Sequence, residues 1–230
     1  IVKTAGIFAI LKLTLSTFSG EYPFWSKILM VVIVLSLMVG NIAAVYQSNV
    51  KRMLAFSSIS QAGFMLLSLL GLNSLSYGNL AYYSLSYALA TVGSFGVLLI
   101  LSNQVLENGR PKEDFEVFNG LMKRQPALAI VLIVSMISLS GIPLTSGFWS
   151  KFFVLNDAAG RGYVWLLVFG VIMSAVSLYF YFKPVRAVFK EPNPGHEHIE
   201  LRKLPKLLLL ATAILTVILG IAPNIFRGLF

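Results

Sequence analysis

The sequence contains no cysteine, which removes disulfides, thiolate nucleophiles and cysteine-ligated zinc or iron–sulfur centres from this chain. Charge is scarce as well: 12% of residues are charged, about half the share in an ordinary soluble domain. Acidic residues are the rarer sign, 9 against 18 lysines and arginines. There is no Walker-type phosphate loop, no Gly-x-Gly-x-x-Gly run and no nucleophile constellation, so soluble-enzyme chemistry has no foothold. The net charge of +9 does not point to nucleic acid. The basic residues sit between apolar runs rather than among exposed aromatics on a polar surface.

What remains is apolar. Hydrophobic residues make up 57% of the chain and the mean hydropathy is +0.81. Stretches near the roughly 20 residues needed to cross about 30 Å of hydrocarbon occur about seven times. The predicted fold class is all-α integral membrane, a single transmembrane domain over 1–230, with helices near 1–18, 25–46, 51–72, 79–102, 126–156, 163–186 and 204–223. The start, IVKTAGIFAILKL, lies within an apolar run and has no initiator methionine, basic leader or cleavage site, so the chain is expected to begin inside a helix.

Positive charge is one-sided. Lys51, Arg52, Arg110, Lys112, Lys123, Arg124, Lys183, Arg186, Lys190, Arg202, Lys203 and Lys206 fall on one face of this arrangement, against Lys27, Arg161 and Arg227 on the other. Basic loops stay on the cytoplasmic side, which orients the chain. Three lysines, Lys3, Lys12 and Lys151, lie within apolar runs. A lysine at membrane depth costs at least about 2.5 kcal/mol, and such residues usually line a wet interior or an ion path. The alternative is snorkelling to the interface. Lys12, near the end of its run, reads as snorkelling, and both readings stand for Lys3.

Lys151 belongs to a run from Pro126 to Asn156 that would be about 45 Å long as one straight helix. The stretch SGIPLTSG, with two glycines, a proline and three hydroxyl residues, is predicted to interrupt it near 141–146. Unwound backbone at membrane depth is tolerated where it faces protein or water, and supplies polar groups for ion sites. Lys151 is therefore expected to point inward. In the third run Ser57, Ser58, Ser60 and Gln61 form a polar stripe that can serve as helix–helix glue or hold water. Every carboxylate, Asp157 included, reads as a linker residue. His196 and His198, in GHEHIE, read as solvated rather than metal-binding.

Three stretches, VYQSNVKRMLAFSSISQAGFMLLSLL, YYSLSYALATVGSFGVLLIL and EDFEVFNGLMKRQPALAIVLIVSMISLSGIPLTSGFWSKFFVL, together resemble the antiporter-like subunits of respiratory complex I, with subunit N favoured over L and M. The resemblance implies the C-terminal half of a fourteen-helix fold of inverted repeats with interrupted helices. It implies a proton-translocating role coupled to quinone reduction elsewhere, with Lys3 as the central lysine and Lys151 as the lysine of the interrupted helix. Gln61 stands where that family usually has histidine; glutamine can hold a water but cannot carry a proton near neutral pH. The resemblance further implies no cofactor in this chain, with FMN, iron–sulfur clusters and quinone in partner subunits. The implied partners are the antiporter-like subunit M, small K-, J- and A-type subunits and lipids, in a bacterial inner membrane. A subunit of a multisubunit sodium/proton antiporter is the alternative.

Overall fold

The computed structural model describes residues 2–71, 74–103, 106–107, 110–192 and 203–224. His196 and His198 lie outside the described residues. The elements are α1 (Val2–Ser16), α2 (Tyr22–Val45), α3 (Val50–Gly71), α4 (Ser74–Ser102), α5 (Leu121–Arg124), α6 (Pro126–Ser140), α7 (Ser146–Gly160), α8 (Val164–Val188) and α9 (Lys203–Ile221). Between α4 and α5, Leu106–Glu107 pairs antiparallel with Arg110–Pro111, followed by a 3-10 turn at Phe115–Phe118. Among the described residues, α2, α3, most of α4, α8 and α9 are long and apolar enough to cross a membrane. Helix α6 is a shorter apolar helix, and α7 continues from it after a break.

The break between these two helices is built from local chemistry. Pro126 opens α6 where its missing N–H costs nothing. At the other end Gly141 adopts φ +85°, a conformation open to glycine because it carries no Cβ. The Gly141 N–H then donates to the Ser138 carbonyl at 3.0 Å and the Ile142 N–H to the Ile137 carbonyl at 3.2 Å, a Schellman closure. Pro143 and the left-handed Leu144, at φ +75°, carry the chain to Thr145, from which α7 starts. The halves stay close because Gly147 leaves room: a Cβ there would lie 1.8 Å from the Ser138 carbonyl oxygen.

Two apolar clusters hold the helices. One gathers Met53, Leu101, Phe118, Leu132, Phe180 and Tyr181 toward the basic face; the other gathers Leu37, Phe64, Leu70, Tyr83, Val154 and Leu166 toward the opposite face. The broken helix passes between them. At the basic face, Lys51 pairs with Glu113 at 2.8 Å and Lys123 with Glu191 at 2.7 Å. Lys183 donates to the Val45 carbonyl. Outward surfaces of α2, α8 and α9 are apolar, with Phe24, Val31, Trp165, Val168, Leu207 and Leu208 exposed, as lipid or a partner helix requires.

Candidate relay around the broken helix

A helix ends with four carbonyls that lack partners within it. In α6 the Schellman closure takes those of Ile137 and Ser138, leaving those of Leu139 and Ser140. Gln61 Nε2 donates to the Leu139 carbonyl at 3.0 Å. Lys151 Nζ donates to the Ser140 carbonyl at 2.8 Å and to Ser174 Oγ at 3.0 Å, and Ser174 itself donates to Ser140 at 3.2 Å. The break thus offers its partly negative end to Gln61 and Lys151, two of the three residues singled out by sequence.

Lys151 is 5% exposed, so it does not snorkel. Its Nζ lies 4.9 Å from the centre of the Phe64 ring, a cation–π distance. Its stem packs on Gly141, where a Cβ would come within 2.8 Å of Lys151 Cδ. The glycine therefore serves twice, by turning the chain and by leaving space for the lysine.

Gln61 is 4% exposed and fully engaged. Its Oε1 accepts from the Tyr83 hydroxyl, and its Nε2 also donates to the Tyr181 hydroxyl at 3.1 Å. Since Tyr83 and Tyr181 belong to the two apolar clusters, Gln61 joins them. A cavity of about 10 Å³ lies between Gln61, Tyr83, Tyr87, Ser138, Ser150 and Lys151. That is about the size of a single water site, and its lining is polar enough to hold one. Gln61 and Lys151 thus share one cavity without touching each other directly.

Lys3 sits apart. It is exposed on α1, and its Nζ donates to Ser58 Oγ at 2.6 Å. Ser58 Oγ donates in turn to the Ala55 carbonyl at 2.6 Å. The rest of the polar stripe divides. Ser60 accepts from Asn41 Nδ2 at 2.8 Å, helix–helix glue between α3 and α2, while Ser57 turns back to the Leu54 carbonyl. Lys12 is exposed.

Sequence reasoning missed Tyr83, Tyr87, Tyr181 and Ser174; the i, i+4 tyrosines of YYSLSY were the available signal. It also misplaced Asp157. That residue is not in a linker but in the last turns of α7, 5% exposed. Asn79 Nδ2 donates to its two oxygens at 2.8 and 3.0 Å, and this partner from α4 is what lets the carboxylate lie within the helix bundle.

Residues 1–177 match the family described as NADH:quinone oxidoreductase/Mrp antiporter, TM. NADH-quinone oxidoreductase subunit N 2 of Herpetosiphon aurantiacus is 35% identical over 239 residues, covering 98% of this chain and 43% of that protein. A chain of respiratory complex I from Thermus thermophilus superposes with a TM-score of 0.79 at 33% identity, covering 88% of this chain and 45% of the other. A chain of the Mrp complex from Dietzia sp. gives a TM-score of 0.86 at 20% identity, covering 98% and 49%, a likeness of fold. The chain spans less than half the length of these relatives.

Proposed function

Since the chain belongs to the NADH:quinone oxidoreductase/Mrp antiporter transmembrane family, we propose that it relays protons within the membrane arm of an NAD(P)H or ferredoxin:quinone oxidoreductase, in the manner of a subunit N. The relatives named for subunit N support this reading over the antiporter alternative, because the Mrp likeness extends to fold alone. Flavin, iron–sulfur clusters and quinone belong, on this reading, to neighbouring subunits. Partners are the antiporter-like subunit M and small K-, J- and A-type subunits, in a bacterial inner membrane.

The observation that carries the reading is Lys151, buried and held by the carbonyl end of a broken helix while it lines a water-sized cavity shared with Gln61. The ammonium has lost bulk water on burial and has gained the Ser140 carbonyl, the Ser174 hydroxyl and the Phe64 ring. On this reading, a change in field from a neighbouring subunit is what moves its proton. Gln61 does not ionise; it accepts from the Tyr83 hydroxyl, which lines a cavity the size of one water. Lys3, which donates to Ser58, is on this reading the earlier station of the same relay.

Replacing Lys151 in the assembled complex and measuring proton uptake in sealed vesicles tests this. Lys151→Met should lower the protons moved per quinone reduced. Lys151→Arg should do the same although it keeps the charge, because a guanidinium does not release its proton. Wild-type pumping in both variants would remove Lys151 from the path.

A further inference from the structure

The relay described so far has no titratable group between Lys151 and the face opposite the basic loops, yet Asp157 lies between them. We infer that Asp157, held by Asn79, is the proton station through which this relay meets that opposite face. The inference rests on the proton-relay reading above.

Four observations place it there. Asp157 follows Lys151 by six residues on the same helix, about 9 Å along the axis at 1.5 Å per residue. A cavity of about 310 Å³, lined in part by Gly71, Asn79, Asn156, Asp157 and Arg161, reaches from the carboxylate to the exposed Asn156, Gly160 and Arg161 at the end of α7. Space is kept open for the carboxylate by Gly71, where a Cβ would stand 2.9 Å from Asp157 Cβ and 2.8 Å from Ser76 Oγ. Finally, α4 carries Asn79, Tyr83, Ser86 and Tyr87 at i, i+4, i+7 and i+8, one face of a helix. That stripe leads from Asp157 to the cavity shared by Gln61 and Lys151.

The Asn79 amide is suited to both protonation states. Its Nδ2 donates to the carboxylate, while its Oδ1 is buried with no hydrogen-bond partner among the described residues. Protonation turns one carboxylate oxygen from acceptor into donor, and the idle Oδ1 is the acceptor for it once the amide rotates. Among the described residues, the groups around Asp157 include Asn79 and Ser76 from α4, Gly71 from α3 and Arg161 one turn on. Arg161 Nε donates to the Gly71 carbonyl at 2.9 Å, and its guanidinium lies 5.4 Å from the centre of the Tyr22 ring. The step balances without a redox partner. Lys151 gives one proton, through water and the hydroxyls of the α4 stripe, to the Asp157 carboxylate; the lysine becomes neutral and the carboxylate a carboxylic acid. That acid releases the proton into the 310 Å³ cavity.

The test uses the assembled complex in sealed vesicles, with Asp157→Asn, Asp157→Glu and Lys151→Met measured side by side. Asp157→Asn should lower pumping by about a hundredfold if this station is obligatory, the lower end for a positioned proton-transfer group, and Asp157→Glu should restore most of it. Wild-type pumping in Asp157→Asn alongside a defective Lys151→Met overturns the station and leaves the relay standing. Wild-type pumping in both overturns both. Should the Asp157 variants not assemble, a hydrophobic carbodiimide, which attacks protonated carboxyls, is applied to the wild type across a pH series. Labelling of Asp157 that rises as pH falls supports the station; no labelling at any pH overturns it.

Discussion

At the scale of single residues, Gln61 is the position where structure and expectation inform each other most. An ionisable side chain at the centre of a relay could carry the proton itself. Glutamine cannot, and all of its visible hydrogen-bonding capacity goes to Leu139, Tyr83 and Tyr181. Gln61→His would place an ionisable side chain where the glutamine cannot carry a proton. Pumping by that variant should follow a pH profile different from the wild type's, measured as the rate of vesicle acidification across a pH series. Superimposable profiles would mean that position 61 lies off the path. Lys151 was legible beforehand because a charge within an apolar run is costly and therefore conspicuous. Tyr83, Tyr87 and Tyr181 were not, since a tyrosine is at home in a core and sequence does not say where its hydroxyl points.

At the scale of elements, the interruption after α6 was readable from composition, because glycine and proline impose local backbone conformations whatever the tertiary surroundings. The contact between the start of α4 and the end of α7 was not. The fourth helix, expected from residue 79, starts at Ser74, and Asp157, expected in a linker, ends up buried. Both differences have one cause. Hydropathy treats Ser76, Asn79 and Asp157 as water-seeking, whereas in the folded chain the Asn79 amide binds the carboxylate and the two helix ends bury each other's polar groups. The loops at the basic face are joined by a different device, an ion pair. Lys51 donates a hydrogen bond to Glu113 and holds its carboxyl below the usual carboxylate range. A lowered folded-state pKa means that the stabilisation is present above the unfolded value of about 4.3 and is lost as pH falls through the folded value. Glu113→Gln should therefore cost under about 1 kcal/mol at neutral pH, since the pair is largely solvent-screened. The gap to wild type in thermal unfolding of the purified complex should close as pH drops below about 4. A gap that persists at pH 3 would assign the effect to packing instead.

At the scale of the whole molecule, the arrangement has a direction. The basic residues, the Lys51–Glu113 and Lys123–Glu191 pairs and the Lys183 contact to Val45 gather at one end. Arg161, Tyr22 and the large Asp157 cavity lie at the other. Lys151 and the small cavity stand between the two apolar clusters, so on the proposed reading a proton passing this lysine moves between the two ends. Because basic loops are retained in the cytoplasm, the Asp157 cavity should open to the outer face. The absence of cysteine makes this directly measurable with single introduced thiols. Gly20 offers a site where an added Cβ meets nothing within 4 Å, and Lys123 is a 63% exposed side chain at the basic end. A membrane-impermeant maleimide applied to intact spheroplasts should label Gly20→Cys and spare Lys123→Cys, with the pattern exchanged in inverted vesicles. The reverse pattern would turn the chain over and make the Asp157 cavity the cytoplasmic side of the relay.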